Sequence, residues 1–193
     1  MLDFTPVHER KVTMHEFTRH LTQADLRALT EESIASLLDA LEGCADEEIV
    51  FVPDDPDAND PYASDPGDGN LAWTIGHMVV HACASGEEYS SISAELARGV
   101  EFHGRSRIEV PWQLVKTVDQ CRAKIRESRR MRLAALEVWP DTPDLGNGYQ
   151  PWRETDWVNC VGIFAWGIAH DQEHRGWIEK IRRQYAERQP VHA

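Results

Sequence analysis

Hydrophobic residues recur at steps of three and four in four long segments of the chain, a period typical of helices with one buried face. The segments run from about Thr22 to Gly43, from about Leu71 to Arg98, from about Trp112 to Trp139 and from about Asp156 to Arg188. One β-like run is present, Glu48–Val52, and it is short. An all-α protein is therefore predicted, and four helices of this length pack most simply as a four-helix bundle.

A long acidic connection separates the first two predicted helices. Residues 53–70 contain six Asp, four Pro and two Gly but no Lys or Arg. Because this composition disfavours both a helix and a buried core, we predict an exposed acidic loop that shapes one end of the bundle. Residues Asp141–Gln150 are predicted to form a second loop. With 193 residues, the chain is expected to be a single domain over residues 1–193.

The charge balance limits the partners that the surface attracts. The chain has 20 Lys and Arg against 33 Asp and Glu, which gives a formal net charge of -13. Such a surface repels phosphate backbones, so no nucleic-acid partner is expected. No apolar run is long enough to span a bilayer and the N-terminus lacks the apolar core of a signal peptide, so no membrane partner is expected. The cysteines are far apart and form no Cys-x-x-Cys pair, which favours reduced core thiols and a cytoplasmic location; they are Cys44, Cys83, Cys121 and Cys160.

Two histidines lie four residues apart in the last predicted helix, His170 and His174. Residues at this spacing occupy the same helix face one turn apart, so the two rings can converge on one metal ion. The same face continues through Trp177 and Ile181 and follows the apolar stretch Trp157–Ala169, which places both imidazoles on the buried side. A buried imidazole needs a hydrogen-bond partner or a metal, and two in register favour a metal site. The alternative is a pair of core histidines that hydrogen-bond to neighbouring helices.

A third ligand is expected, because a catalytic metal is usually held by three protein ligands and keeps an open position. The second predicted helix contains a further pair four residues apart, His77 and His81. One of these two is the natural third ligand, since helices two and four can both face the core of the bundle.

At these positions the chain resembles the DinB/YfiT-like family of metal-dependent proteins. The likeness lies in Trp73-Thr-Ile-Gly76 followed by His81, and in His170, His174, Arg175 and Gly176. The resemblance extends over most of the chain and implies an up-down-down-up bundle in which three histidines bind a divalent metal. Carried over by position, these ligands are His81, His170 and His174, and His77 is the second choice for the first of them.

Two positions depart from the family pattern. The family often has a leucine directly after its first histidine and an acidic residue five positions after it. Here those positions hold Ala82 and Gly86, and Glu87 follows one residue late. His77 is also an additional histidine where the family usually has none, so it is the second choice as a ligand, in place of His81 or beside it, and His81 is the first choice.

Three neutral imidazoles leave a Zn, Ni or Fe(II) ion strongly positive, and such an ion lowers the pKa of a bound water or thiol. Members of the resembled family include transferases and isomerases that use a low-molecular-weight thiol such as bacillithiol or mycothiol. The resemblance therefore implies a metal-dependent thiol S-transferase, or a related hydrolase or isomerase, with a small-molecule substrate and such a thiol as cofactor. A homodimer is the assembly to consider. No catalytic or thiol-binding residue is assigned.

Two alternative functions remain. In the first, the metal or the histidine cluster only stabilises the bundle, and His77 closes the site as a fourth ligand, as in structural zinc sites. In the second, Glu173 is the general base of a His-x-x-Glu-His metalloprotease. That class needs a further acidic ligand from a later helix, and only 19 residues follow His174.

Basic and aromatic residues offer further candidates for ligand binding. The third predicted helix is rich in basic residues, which either bind the carboxylates of a thiol cofactor or form a solvated face paired with acidic side chains. Trp152, Trp166 and Trp177 either wall a substrate pocket or belong to the core. The basic residues are Arg122, Lys124, Arg126, Arg129, Arg130 and Arg132.

Overall fold

A computed structural model describes residues 1–60, 67 and 69–188. Within them the protein is mostly helical, as predicted, with a small two-stranded sheet. The described elements are α1 (Thr5–His8), α2 (Met14–Thr18), α3 (Gln23–Ala40), α4 (Asp46–Ile49), α5 (Ile75–Ala97), a 3-10 helix (Trp112–Leu114), α6 (Val118–Glu137), β1 (Gly148–Tyr149), β2 (Val158–Asn159) and α7 (Cys160–Arg188).

Polar side chains fix the start of each long helix. Thr22 and Asp25 form a capping box at α3, and Thr117 caps α6 in the same way with a glutamine. Thr74 caps α5 by accepting the amide proton of the third helical residue. The Asn159 side-chain oxygen accepts two backbone N–H groups of the first turn of α7. These caps satisfy amides that a helix leaves without an internal partner.

Three local predictions are wrong. The run Glu48–Val52 is not a strand: α4 covers its first two residues, and the Glu48 carboxylate accepts the amide proton of Ala45 to cap that helix. The third helix does not begin at Trp112, which lies in the 3-10 helix, but after Thr117. The fourth begins at Cys160, because the two residues before it pair with β1 in the antiparallel sheet.

The four long helices contact one another as α3 with α6, α3 with α7, α5 with α6 and α5 with α7. α3 runs parallel to α7 and antiparallel to α6, and α5 runs antiparallel to α7. Hydrogen-bonded residue pairs show these directions. Between α3 and α6 the pairs are Glu31–Arg129 and, just after the end of α3, Glu42–Arg122. Between α3 and α7 they are Ser33–Asp171 and Ala40–Arg182, and between α5 and α7 they are His81–His170 and Ser93–Cys160.

The interior consists of two hydrophobic clusters. One combines the starts of α3 and α7 with the ends of α5 and α6, and the other combines the opposite halves of the same helices. Between them lies a layer of buried polar residues that includes Ser33, Ser85, Ser128, Arg132 and Asp171. The middle of the helical array is therefore polar and its two ends are apolar.

Part of the predicted acidic loop approaches α7. Its residues 61–66 and 68 lie outside the described residues. In the described part, the backbone N–H of Asp54 donates to the Gln184 side chain at 2.7 Å, and the Gln184 amide donates back to the Asp54 carbonyl at 3.0 Å. These two bonds tie the start of the loop to the C-terminal half of α7.

None of the described helices combines the length with the apolar character that a membrane-spanning helix needs.

Candidate metal centre

The structure brings the three predicted histidines together. His81 projects from α5, and His170 and His174 project from α7. The Nε2 atom of His170 lies 3.2 Å from Nε2 of His81 and 3.0 Å from Nε2 of His174. All three ligand atoms lie within 4.8 Å of one another. The antiparallel contact of α5 with α7 thus places His81 next to the i, i+4 pair His170 and His174.

These nitrogens fit a divalent metal. Two nitrogens that are each about 2.1 Å from one ion lie about 3.0 Å apart at a right angle and about 3.4 Å apart at a tetrahedral angle. The two separations at His170, 3.0 and 3.2 Å, fall in this range. Protons alone satisfy the group poorly, because each contact between two ring nitrogens needs a proton on one and a lone pair on the other. A cation would accept a lone pair from all three rings.

Burial keeps the two α7 histidines neutral. Removal from water, with a smaller contribution from the neighbouring His81, lowers the pKa of His174 to about 3. Burial also lowers the pKa of His170 well below its ordinary value, and His174 and His81 act in the same direction. A neutral imidazole has the free lone pair that a metal ligand needs.

A carboxylate orients the remaining histidine from behind. Nδ1 of His81 lies 3.1 Å from a carboxylate oxygen of Glu109, and the Arg107 guanidinium lies 3.1 Å from the same oxygen. Burial acts to raise the pKa of Glu109, but the hydrogen bond from His81 and the charges of His81 and Arg107 outweigh it and hold the pKa below its ordinary value. An ionised Glu109 favours a proton on Nδ1 of His81. The lone pair of the ring then lies on Nε2, the atom that faces the other two histidines.

His77, the second candidate for the third ligand, is not part of the group. Its ring stacks on Trp73 at a centroid distance of 4.4 Å and on Trp112 at 4.7 Å. Trp73 also contacts the ring of His81 at 4.6 Å, so its indole separates His77 from the cluster side of α5. Within the described part of the chain, no fourth His, Cys, Asp or Glu joins the three histidines.

Among the described residues, the additional ligand that each alternative function names does not join the three histidines. A closed structural site would need His77 or another fourth ligand next to the three histidines. The protease would need an acidic third ligand, whereas the third position is held by His81 from an earlier helix. Glu173 is exposed and does not belong to the group.

A cavity of about 640 Å³ opens next to the three histidines, all of which line it. The predicted aromatic residues Trp152, Trp166 and Trp177 form part of its wall, together with Trp73. The acidic loop contributes Pro53, Asp54, Asp55, Asp57, Ala58, Asn59 and Asp60. This volume suits a small organic molecule.

The cations of this cavity are not those of the basic helix. Among the six basic residues of α6, Arg122, Arg129 and Arg130 form ion pairs with glutamates, and none of the six lines the cavity. Arg105 and Arg107, from the segment between α5 and α6, line it instead. Two guanidinium nitrogens of Arg105 donate to the buried carboxylate of Glu88, and its charged end lies 5.6 Å from the ring centre of Tyr89.

Sequence reasoning missed Glu109, Arg105 and Arg107. They lie in an irregular segment with no periodic pattern. Glu109 contacts His81, 28 positions earlier in α5, Arg105 contacts Glu88, 17 positions earlier, and Arg107 pairs with Glu109. The alternation Arg107, Ile108, Glu109 was the available indication, because in an extended segment the first and third side chains share one face. Ile108 is 84% exposed, whereas its two neighbours are half-buried.

The four cysteines lie away from the cavity, since none of them lines it. All four cysteines are free, as predicted. Burial raises the pKa of Cys83 and of Cys121 to about 12 and that of Cys160 to about 11.

A family described as the DinB superfamily matches residues 29–178. The matched stretch contains all three histidines, the whole of α5 and α6, and most of α3 and α7. No curated protein and no solved structure matches the chain.

Proposed function

The chain belongs to the DinB superfamily, as its histidine motifs predicted, and on this premise we propose that it is a metal-dependent enzyme whose ligands are His81, His170 and His174. The reaction that we propose is the transfer of a low-molecular-weight thiol to a small electrophilic substrate. Related hydrolysis or isomerisation reactions use the same site chemistry. The metal is a divalent ion of the kind that imidazole prefers, Zn, Ni or Fe(II).

We further infer that α3, α5, α6 and α7 constitute an up-down-down-up four-helix bundle in a single domain. The antiparallel contacts of α3 with α6 and of α5 with α7 support this arrangement. The parallel contact of α3 with α7 supports it as well. In this arrangement the described loop residues 53–60 lie at the end where the cavity opens, and most of them line it.

One observation carries the proposed activity: three imidazole nitrogens meet at the wall of a cavity that a small molecule can fill. No fourth protein ligand joins them in the described part of the chain, so positions facing the cavity remain for substrate or water. A purely structural metal site has no use for such positions.

The chain's own residues orient the histidine ligands, keep two of them neutral and shield their rings from water. Glu109 fixes the tautomer of His81, and burial keeps His170 and His174 neutral. Trp73 covers the rings of His81 and His174 from one side. When bound, the ion supplies positive charge that lowers the pKa of an adjacent water or thiol. The aromatic wall lowers the local dielectric and strengthens that effect.

In the proposed reaction, the thiol sulfur forms a bond to an electrophilic carbon. The bond from that carbon to its leaving group breaks, and the thiol proton leaves with the departing group. The thiol has to come from solution, because burial keeps the pKa values of Cys83, Cys121 and Cys160 far above neutrality.

The remaining predictions on partners keep their basis in the sequence. The charge of -13 opposes phosphate-rich polymers, so a small molecule is the proposed substrate and nucleic acid is not. A cytoplasmic location and a homodimer stay predictions, which fractionation and analytical ultracentrifugation would test.

The test is a transfer assay on purified protein with bacillithiol, mycothiol and glutathione in turn, using a chromogenic aryl halide as electrophile. We expect turnover with at least one thiol, its loss after treatment with a chelator and its return on addition of one divalent metal. Metal analysis should give one ion per chain. His81→Ala should abolish both metal and turnover, whereas His77→Ala should retain the metal.

Two results would contradict the proposal. A protein that binds its metal in full yet turns over none of the three thiols would favour the structural role. A protein in which His77→Ala, and not His81→Ala, removes the metal would reassign the ligand.

A further inference from the structure

A buried ion pair lies directly behind the three histidines and joins all four long helices. The Arg132 and Asp171 side chains are 3% and 1% exposed, and the Arg132 guanidinium forms hydrogen bonds to both carboxylate oxygens of Asp171. Its Nε also donates to the Ser128 hydroxyl at 3.0 Å. Ser33 of α3 donates to Asp171 at 2.7 Å, and the carbonyl of Ala82 on α5 accepts from Arg132 at 3.2 Å.

This ion pair is attached to the residues next to the proposed ligands. Asp171 follows His170 in α7, and Ala82 follows His81 in α5. Consecutive helix residues point about 100° apart, so the pair lies behind the imidazoles, away from the cavity. Neither Arg132 nor Asp171 lines that cavity. One guanidinium therefore holds α5 by a backbone carbonyl and α7 by a carboxylate, each one residue from a proposed ligand.

The contact surface of α5 is shaped to admit the guanidinium. A Cβ atom at Gly86 would lie 2.1 Å from the Arg132 guanidinium carbon. A Cβ atom at Gly167 of α7 would lie 3.5 Å from the Gly86 Cα, so the two helices approach closely at the same level. The absence of a side chain at Gly86 therefore leaves the space that the Arg132 guanidinium occupies.

Stability alone does not require such a pair. Replacing a buried ion pair with apolar side chains of similar volume is often neutral or stabilising, because the desolvation of both charges offsets their attraction. A guanidinium differs from other cations because it is planar and forms two parallel hydrogen bonds to a carboxylate. This geometry fixes the orientation of the carboxylate as well as its distance. A metal site needs such precision, since ligand distances have to be met within about 0.2 Å.

We propose that Arg132, through Asp171 and the carbonyl of Ala82, is a positioning residue that sets α5 against α7 so that His81 meets His170 and His174 around one ion. This inference rests on the proposed function, because it presumes that the three histidines bind a metal. It predicts that metal affinity depends on Arg132 more strongly than folding does.

The experiment is a titration of the chelator-treated full-length protein with Co²⁺, followed by the visible absorption of the ion and compared with urea unfolding of the same samples. In the double variant Arg132→Met/Asp171→Leu no unpaired charge stays buried, so we expect helical content and the unfolding midpoint close to those of the wild type. We expect its Co²⁺ affinity to fall by about 10–100-fold, with altered absorption bands. The matched control is Arg129→Gln/Glu31→Gln, which removes an exposed ion pair between α6 and α3. This control should leave the Co²⁺ affinity and the absorption bands unchanged.

A folded double variant with wild-type affinity and bands would overturn the proposal. If the double variant does not fold, Arg132→Lys decides, because lysine keeps the charge but loses the planar geometry: weaker Co²⁺ binding supports the proposal and unchanged binding overturns it. Failure of the wild-type protein to bind Co²⁺ would instead refute the metal site itself, so the two failures are distinguishable.

Discussion

Acid should destabilise the metal-free protein through His174, and His174→Gln should remove much of this sensitivity. The buried ring has a pKa of about 3 in the folded state, against an ordinary value of 6.5. Between these values the unfolded chain binds a proton that the folded chain does not, so stability is fully present above about pH 6.5 and is lost as the pH falls toward about 3.

The magnitude follows from the same two pKa values. The full difference of about 3.5 units corresponds to about 5 kcal/mol, reached only near pH 3. Between about pH 8 and about pH 5 the linkage relation gives a loss of about 2 kcal/mol for this one histidine. His170 adds to the loss in the same direction, because its pKa is also lowered by burial.

The assay is urea unfolding in the presence of chelator at about pH 8, 7, 6 and 5, followed by circular dichroism. Groups away from the site titrate alike in both proteins, so the difference between the wild type and His174→Gln reports His174 together with its effect on the neighbouring His170. We expect the wild type to lose about 2 kcal/mol more than the variant across this range. Parallel losses in the two proteins would refute the argument that His174 is held neutral by burial.

Three further predictions concern the surroundings of the site. His81→Ala should reduce bound metal to the background level in elemental analysis whereas His77→Ala should not, since only the first ring belongs to the group; loss of metal in both would contradict this. Glu109→Gln should weaken Co²⁺ binding by about 10-fold in a titration, because the ionised carboxylate orients the His81 ring, and unchanged affinity would show that the ring needs no such support. Gly86→Ala should lower the free energy of unfolding by about 1–3 kcal/mol in urea, since the overlap with Arg132 outweighs the helix propensity of about 1 kcal/mol that alanine gains over glycine; a stabilised variant would contradict the close contact.

The sequence specifies the helices better than their starting points. The three- and four-residue period predicted all four long helices, and capping residues such as Thr22 were visible in the sequence. The short run Glu48–Val52 was misassigned, because an apolar run of this length is compatible with a strand or with the end of a helix. What decided between them was the capping of α4 by the carboxylate of Glu48.

The i, i+4 spacing predicted that His170 and His174 share a face, but it could not choose between His77 and His81. Spacing within α5 is the same for both, and the choice depends on the rotation of α5 against α7. In the structure that rotation turns His81 toward the α7 pair and leaves His77 between two indoles. The family resemblance supplied this choice, and local sequence did not.

The buried role of Arg132 was hidden by the basic residues around it. The helix α6 buries Cys121, Ile125, Ser128, Arg132 and Leu136, which recur at steps of three and four. An arginine in such a stripe needs a buried carboxylate, which Asp171 of α7 supplies. The pairing of Arg132 with Asp171 nevertheless depends on how α6 packs against α7, and a pattern within one helix does not predict this.

The central claim is that His81, His170 and His174 bind one divalent ion and leave positions open toward the cavity. X-ray absorption at the metal edge of the purified, metal-loaded protein tests it most directly. The account predicts three imidazole ligands at about 2.0–2.1 Å and at least one further light-atom ligand that added thiol replaces with sulfur. Four protein ligands whose spectrum no added thiol alters, or fewer than three imidazoles, would contradict it.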